Sequence, residues 1–209
     1  MSIADKILQA KADYDDVYEA GAKSEYDRFW DTLQANGDRV NYAYAFAYNR
    51  FSDENYNPKH PIVTKSGTTP SRYIFAQNTV ITDTKVPIYA NGNDVSYCFQ
   101  GCSGLISIPE LRVLETQAFT STFASCSALE NITFSGTIGK DISLKDCSKL
   151  TPQSVESIVT HLKNYSGTSG EFTYTVTVPG SCWTALEAYS AAPDGGTWAD
   201  YVYKLGWNT

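Results

Sequence analysis

A motif of seven residues occurs twice, 24 positions apart, in the middle of the chain: Phe99-Gln100-Gly101-Cys102-Ser103-Gly104-Leu105 and Phe123-Ala124-Ser125-Cys126-Ser127-Ala128-Leu129. A diverged copy lies 24 residues earlier, with Phe75, Asn78 and Ile81 in the aligned places. Another lies 21 residues later, as Leu144-Lys145-Asp146-Cys147-Ser148-Lys149-Leu150. Units of this length cannot bury their own apolar side, so they must stack, and equivalent residues then form ladders through a shared core. One column would hold Phe75, Phe99, Phe123 and Leu144. A second would hold Asn78, Cys102, Cys126 and Cys147, and a third Ile81, Leu105, Leu129 and Leu150. Small thiols suit a tight corner, which makes three of the five cysteines structural. Asn78 is the odd member, as terminal repeats tend to be.

The sequence on either side of the repeats does not repeat. Residues 1–38 are an N-terminal helix segment in which 2–35 are expected to form one long helix, capped at Ser2 and stopped by Asn36-Gly37. Ile3, Ile7, Ala10, Tyr14, Val17 and Gly21 recur at a 4,3,4,3,4 spacing, a short heptad seam suited either to packing on the same chain or to an oligomerising bundle. Residues 39–72 form an aromatic N-terminal cap and loop. Tyr42, Tyr44, Phe46 and Tyr48 alternate with alanines there, so a strand would place four aromatics on one face, either packed over an open core or facing a ligand. Residues 73–150 are the repeats, and residues 151–209 a C-terminal α/β cap. In that cap, Thr151-Pro152 starts a helix with Val155, Ile158, Val159 and Leu162 on its apolar face, ending near Tyr165-Ser166-Gly167. Phe172, Tyr174, Val176 and Val178 alternate as a strand, a further helix is expected from about Trp183 to Ser190, and a tail carries Trp198, Tyr201, Leu205 and Trp207.

Charge separates these pieces. The chain of 209 residues carries a net −7, and nine acids against four bases place −5 of it within residues 1–38. An acidic balance of this kind disfavours nucleic acid and anionic membrane as electrostatic partners. No apolar run approaches the ~18 residues of a membrane span, and the first residues lack the basic and apolar regions of a secretory signal. Folding in the cytosol, with five free thiols, is therefore expected. No C-x-x-C pair exists and neither His60 nor His161 neighbours a matching cysteine, so no metal or other cofactor is expected.

Chemistry needs convergent groups, and few are visible. Ser157 and His161 lie four apart on a predicted helix, a spacing that is far more often incidental than a nucleophile with its base. Asp15-Asp16 and Asp53-Glu54 are adjacent carboxylates whose side chains point apart, so neither supplies the separation that glycoside hydrolysis requires. No phosphate-binding, dinucleotide or nucleophile-elbow motif is present. No catalytic residue is assigned, and a hydrolase remains the weaker alternative.

The C-S-x-L signature with an aromatic three residues before the cysteine, followed by Ser107-Ile108-Pro109 or Asn131-Ile132-Thr133-Phe134, resembles the BspA-like class of leucine-rich repeat. The layout resembles small proteins of bacteriophages and prophages of Gram-positive gut bacteria. It has an acidic start with Glu25-Tyr26-Asp27-Arg28-Phe29-Trp30-Asp31, then Tyr42-Ala43-Tyr44-Ala45-Phe46, the repeats, and a cap from Leu150-Thr151-Pro152 to Gly206-Trp207-Asn208-Thr209. The resemblance implies an α+β protein: a short leucine-rich-repeat solenoid with a long N-terminal helix and a C-terminal α/β cap. It also implies a non-enzymatic virion or tail protein, assembled in the host cytoplasm, that associates with itself or with other virion proteins. The alternative is a bacterial cell-surface adhesin that binds host protein or glycan. Seven of the 15 tyrosines lie between positions 14 and 56, and tyrosine offers rigid contact area that stacks on sugars.

Overall fold

The computed structural model describes residues 46–48, 61–67, 71–167 and 174–209. Two parallel sheets organise them. The first has the order β1 (Ile62–Val63), β2 (Ile88–Tyr89), β3 (Ser107–Val113) and β4 (Asn131–Gly136), and the second the order β5 (Ile142–Ser143), β6 (Tyr174–Thr177) and β7 (Trp207–Asn208). Three helices follow the repeats: α1 (Pro152–Thr160), α2 (Gly180–Tyr189) and α3 (Trp198–Lys204).

In the first sheet each strand pairs with its equivalent about one repeat away. Ser107 and Ile108 of β3 face Asn131 and Ile132 of β4, a shift of 24, and Leu111 faces Phe134, a shift of 23. The lost residue is absorbed at Pro109-Glu110, between the two registers. Proline has no N–H to give a ladder, so a strand irregularity is where it is tolerated. Ile62, Ile88, Leu111 and Phe134 form the buried face of this sheet, each 1% exposed or less.

The opposite side of each unit is a turn segment that uses left-handed backbone at fixed places. Tyr73, Tyr97 and Ser121 have φ of 58°, 62° and 52°, and Gln77, Gly101 and Ser125 have φ of 59°, 76° and 61°. Both sets are spaced by 24, two residues before and two after the phenylalanine of the motif. Only Gly101 takes this conformation without a steric cost; the others bear a strain that the stacking must hold in place. Adjacent turns are joined by backbone hydrogen bonds. The N–H groups of Phe75 and Gln77 donate to Cys98 O and Gln100 O at 2.8 and 2.6 Å, and those of Val95, Tyr97, Phe99 and Gly101 donate to Ala118, Thr120, Thr122 and Ala124.

Inside the stack the rings of Phe46, Phe75, Phe99 and Phe123 follow one another at 5.0, 5.5 and 5.7 Å, within 14° of parallel. The thiols of Cys102 and Cys126 each donate to the carbonyl of the preceding unit's phenylalanine, Phe75 O and Phe99 O, at 3.1 Å, and Cys147 reaches Phe123 O at 3.8 Å. Asn78 does the same to Phe46 O at 2.9 Å. Its Oδ1 also accepts from Val80 N–H and Ile81 N–H. Ile81, Leu105, Leu129, Leu144 and Leu150 are all buried.

The expected class, α+β with a leucine-rich-repeat solenoid and a long N-terminal helix, is corrected by the strand pairing. All strand pairs among the described residues are parallel. The described residues therefore form a mixed α/β protein of parallel sheets and three short helices, in which five strands precede the first helix. The longest helix among the described residues has ten residues, and the expected helix over 2–35 lies outside them. Nor do the repeats extend one continuous sheet. After β4 the chain supplies a helix where the next strand would fall, and β5 joins β6 and β7 in a second sheet.

That helix explains how the first sheet ends. An edge strand exposes unpaired N–H groups. Here the hydroxyls of Ser154 and Ser157 on α1 accept from Ile132 N–H and Phe134 N–H of β4 at 2.9 and 2.8 Å. Thr151 precedes the helix but makes no side-chain cap; its N–H and hydroxyl both donate to Glu130 O. The helix ends at Thr160, short of the expected Tyr165, because Leu162 leaves it to bridge Ile138. Val155, Ile158 and Val159 are completely buried.

Candidate functional site

The fourth copy of the motif departs from the others in backbone as well as in length. Neither Ile142 nor Asp146, which stand where Ser121 and Ser125 stand in the copy before, has a positive φ. Leu144 N–H donates forward to Thr177 O at 2.8 Å. Among the described residues no backbone hydrogen bond joins 119–123 to 141–145. The two turn segments separate, and a groove opens between them.

The groove is closed at both ends. At one end Gly139 lies so close to Glu115 that a Cβ there would stand 2.4 Å from Glu115 O, so only glycine fits. At the other, Ser125 N–H donates to Asp146 Oδ2 at 2.9 Å. Between these ends lies a cavity of about 370 Å³, lined by Thr116, Ala118, Phe119, Thr120, Ser121, Lys140, Asp141, Ile142, Ser143, Tyr174, Thr175 and Thr177. A second, of about 300 Å³, continues past Ser121 and Ser143 to Phe123, Ala124, Lys145 and Asp146. The larger one falls within the ~300–1,000 Å³ typical of small-molecule sites.

One wall is held firmly. Tyr174 packs against Trp207 at 5.8 Å and Tyr165 at 5.3 Å, and Trp207 is buried with its indole N–H donating to Lys163 O. Tyr165 OH donates to Gly139 O at 2.8 Å, tying this aromatic group to the pinched end. Lys140 Nζ donates to Tyr174 OH at 2.7 Å, and this bond raises the lysine's pKa, keeping it protonated. Asp141 Oδ1 accepts from Thr175 N–H at 2.7 Å. Buried Phe119 and Ile142 contribute the apolar part of the lining.

The residues singled out from the sequence fall elsewhere. Phe75, Asn78, Phe99, Cys102, Phe123, Cys126, Leu144 and Cys147 belong to the packed interior. All five cysteines are free and buried. Burial pushes the Cys126 thiol up to about 12 and raises Cys98, Cys102 and Cys147 as well, so none of these four is a thiolate nucleophile near neutral pH. Ile3, Ile7, Ala10, Tyr14, Val17, Gly21, Tyr42 and Tyr44 lie outside the described residues. Phe46 and Tyr48 do not share a strand face. Phe46 is buried on Phe75, whereas Tyr48 has a φ of 57° and is 65% exposed. Phe46 is thus corrected from candidate binding aromatic to first ring of the interior column.

Ser157 and His161 do meet, but not as a nucleophile and its base. His161 Nδ1 lies 2.7 Å from the Ser157 carbonyl oxygen, and the Ser157 hydroxyl is taken by Phe134 N–H. Among the described residues no three His, Cys, Asp or Glu side chains converge as metal ligands, and no helix is long and apolar enough to cross a membrane. The groove itself was missed from sequence, although the 21-residue spacing of the last copy was its signal. No protein-family model, curated protein or solved structure matches this chain.

Proposed function

We propose that the chain is a non-enzymatic binding protein of a bacteriophage particle, a BspA-like repeat protein whose stacked units present a rigid surface to a protein or host-surface partner. One observation carries the binding role. Among the described residues, a tightly packed, strained stack of units opens between its third and fourth copies into a hydroxyl-lined groove backed by a fixed aromatic wall. Such preorganised concave surfaces bind at low entropic cost. The particle assignment draws on the acidic heptad seam at Ile3, Ile7, Ala10, Tyr14, Val17 and Gly21 and on the resemblance of the layout to phage proteins. The alternative, a bacterial surface adhesin, uses the same groove in a different location.

Mass spectrometry of purified particles from the source separates the two. A stoichiometric copy number is expected, together with an oligomer in light scattering that reverts to a monomer when residues 1–38 are deleted. A monomeric full-length protein that is absent from particles would overturn the assembly role.

A further inference from the structure

We infer that the groove between the third and fourth repeat copies is a binding site for a neutral sugar residue; this rests on the reading of the chain as a binding protein and names its ligand class. Size and closure come first. Both ends are pinched, by Gly139 against Glu115 and by Asp146 against Ser125, so an extended chain cannot run through as an added strand. A cavity of about 370 Å³, bounded at its ends and open to solvent along its length, takes a compact molecule.

The chemistry of the lining then selects among compact molecules. Thr120, Ser121 and Ser143 are exposed and offer hydroxyls that donate and accept, as the hydroxyls of a sugar do. An apolar ligand would strip water from these groups with nothing in return. The charges cancel: Lys140 stands beside Asp141, so neither a phosphate nor an ammonium ligand gains a net attraction. Tyr174 supplies a flat ring beside a polar rim, the combination that packs on the C–H face of a pyranose while its hydroxyls are hydrogen-bonded. The ring is already locked against Trp207 and Tyr165 and therefore loses no rotamer freedom on binding. Asp141 spends one carboxylate oxygen on Thr175 N–H and has the other for a ligand hydroxyl.

The test is an amide chemical-shift titration of the intact ¹⁵N-labelled protein. The probes are galactose, glucose, mannose, N-acetylglucosamine and N-acetylgalactosamine at millimolar concentration, with inorganic phosphate and a threonine-rich extended peptide as competing classes. At least one sugar should shift the amides of Thr120, Ser121 and Ser143 in a saturable way. Tyr174→Ala and Ser143→Trp, each checked for an unchanged melting temperature, should weaken that sugar about tenfold or more, equivalent to ~1.4 kcal/mol. Shifts that map elsewhere, no response to any sugar, or a response only to phosphate or peptide would each overturn the inference. The particle measurement above is independent of these outcomes, so a virion component that ignores sugars would fail this inference and leave the proposed role standing.

Discussion

Asn78 shows how one side chain decides whether a unit stacks. Its equivalents Cys102 and Cys126 only donate, each to the preceding phenylalanine carbonyl, whereas Asn78 makes that bond and also accepts from Val80 N–H and Ile81 N–H. Buried polar groups left unpaired cost ~1–3 kcal/mol each. Asn78→Ala should therefore destabilise by about 2–4 kcal/mol in urea unfolding. Asn78→Cys, which keeps the donor to Phe46 O, should cost measurably less; equal losses would show that the carbonyl bond contributes nothing. Gly101 marks the other residue-level requirement. It alone of the six left-handed turn positions is glycine, and a Cβ there would press on the Gln77 amide at 2.7 Å.

At the level of elements, α1 is the part whose role differs most from its sequence pattern. Its apolar residues at Val155, Ile158 and Val159 predict an amphipathic helix, and one forms. The periodicity is silent, however, about Ser154 and Ser157, which take the edge amides of β4. Ser154 is 3% exposed and also donates to Glu130 O at 2.9 Å. Ser154→Ala should cost about 1–3 kcal/mol, and hydrogen exchange at Ile132 should accelerate while that at Ile108, inside the sheet, changes little. Uniform acceleration across both strands would mean that the helix does not act as a local edge cover.

For the whole molecule, the cysteines link stability to pH. Unfolded thiols ionise near 9.0, whereas burial carries Cys126 to about 12 and raises Cys98, Cys102 and Cys147 too. The folded state thus keeps protons that the unfolded state releases. Their stabilising contribution is complete below about pH 9 and is lost as pH rises toward 12, at ~1.4 kcal/mol per unit per thiol. Urea midpoints should hold steady from pH 6 to about 8 and then decline, with a shallower slope in Cys126→Ala. A slope that the substitution leaves unchanged would assign the decline to other groups. In the native protein the thiols should resist alkylation, and all five should react once it is unfolded.

What the sequence determined by itself was interval. A 24-residue spacing of phenylalanine, thiol and leucine can be counted without a structure, because units too short to bury themselves must place equivalent residues at equal steps. The rings of Phe75, Phe99 and Phe123 lie at successive distances of 5.5 and 5.7 Å. Tertiary structure alone decided the rest. Tyr73, Gln77 and Ser125 are not residues that announce left-handed backbone, since stacking imposes that conformation against their preference. Phe46 belongs to an alternating run that reads as a strand, yet contact with Phe75 draws it into the core and leaves Tyr48 in solvent. The groove arises from a mismatch: a 21-residue copy cannot keep the register of 24-residue neighbours on both faces of the stack. Which face gives way depends on how α1 holds β4 and how β5 pairs with β6, contacts between segments far apart in the chain that no local pattern records.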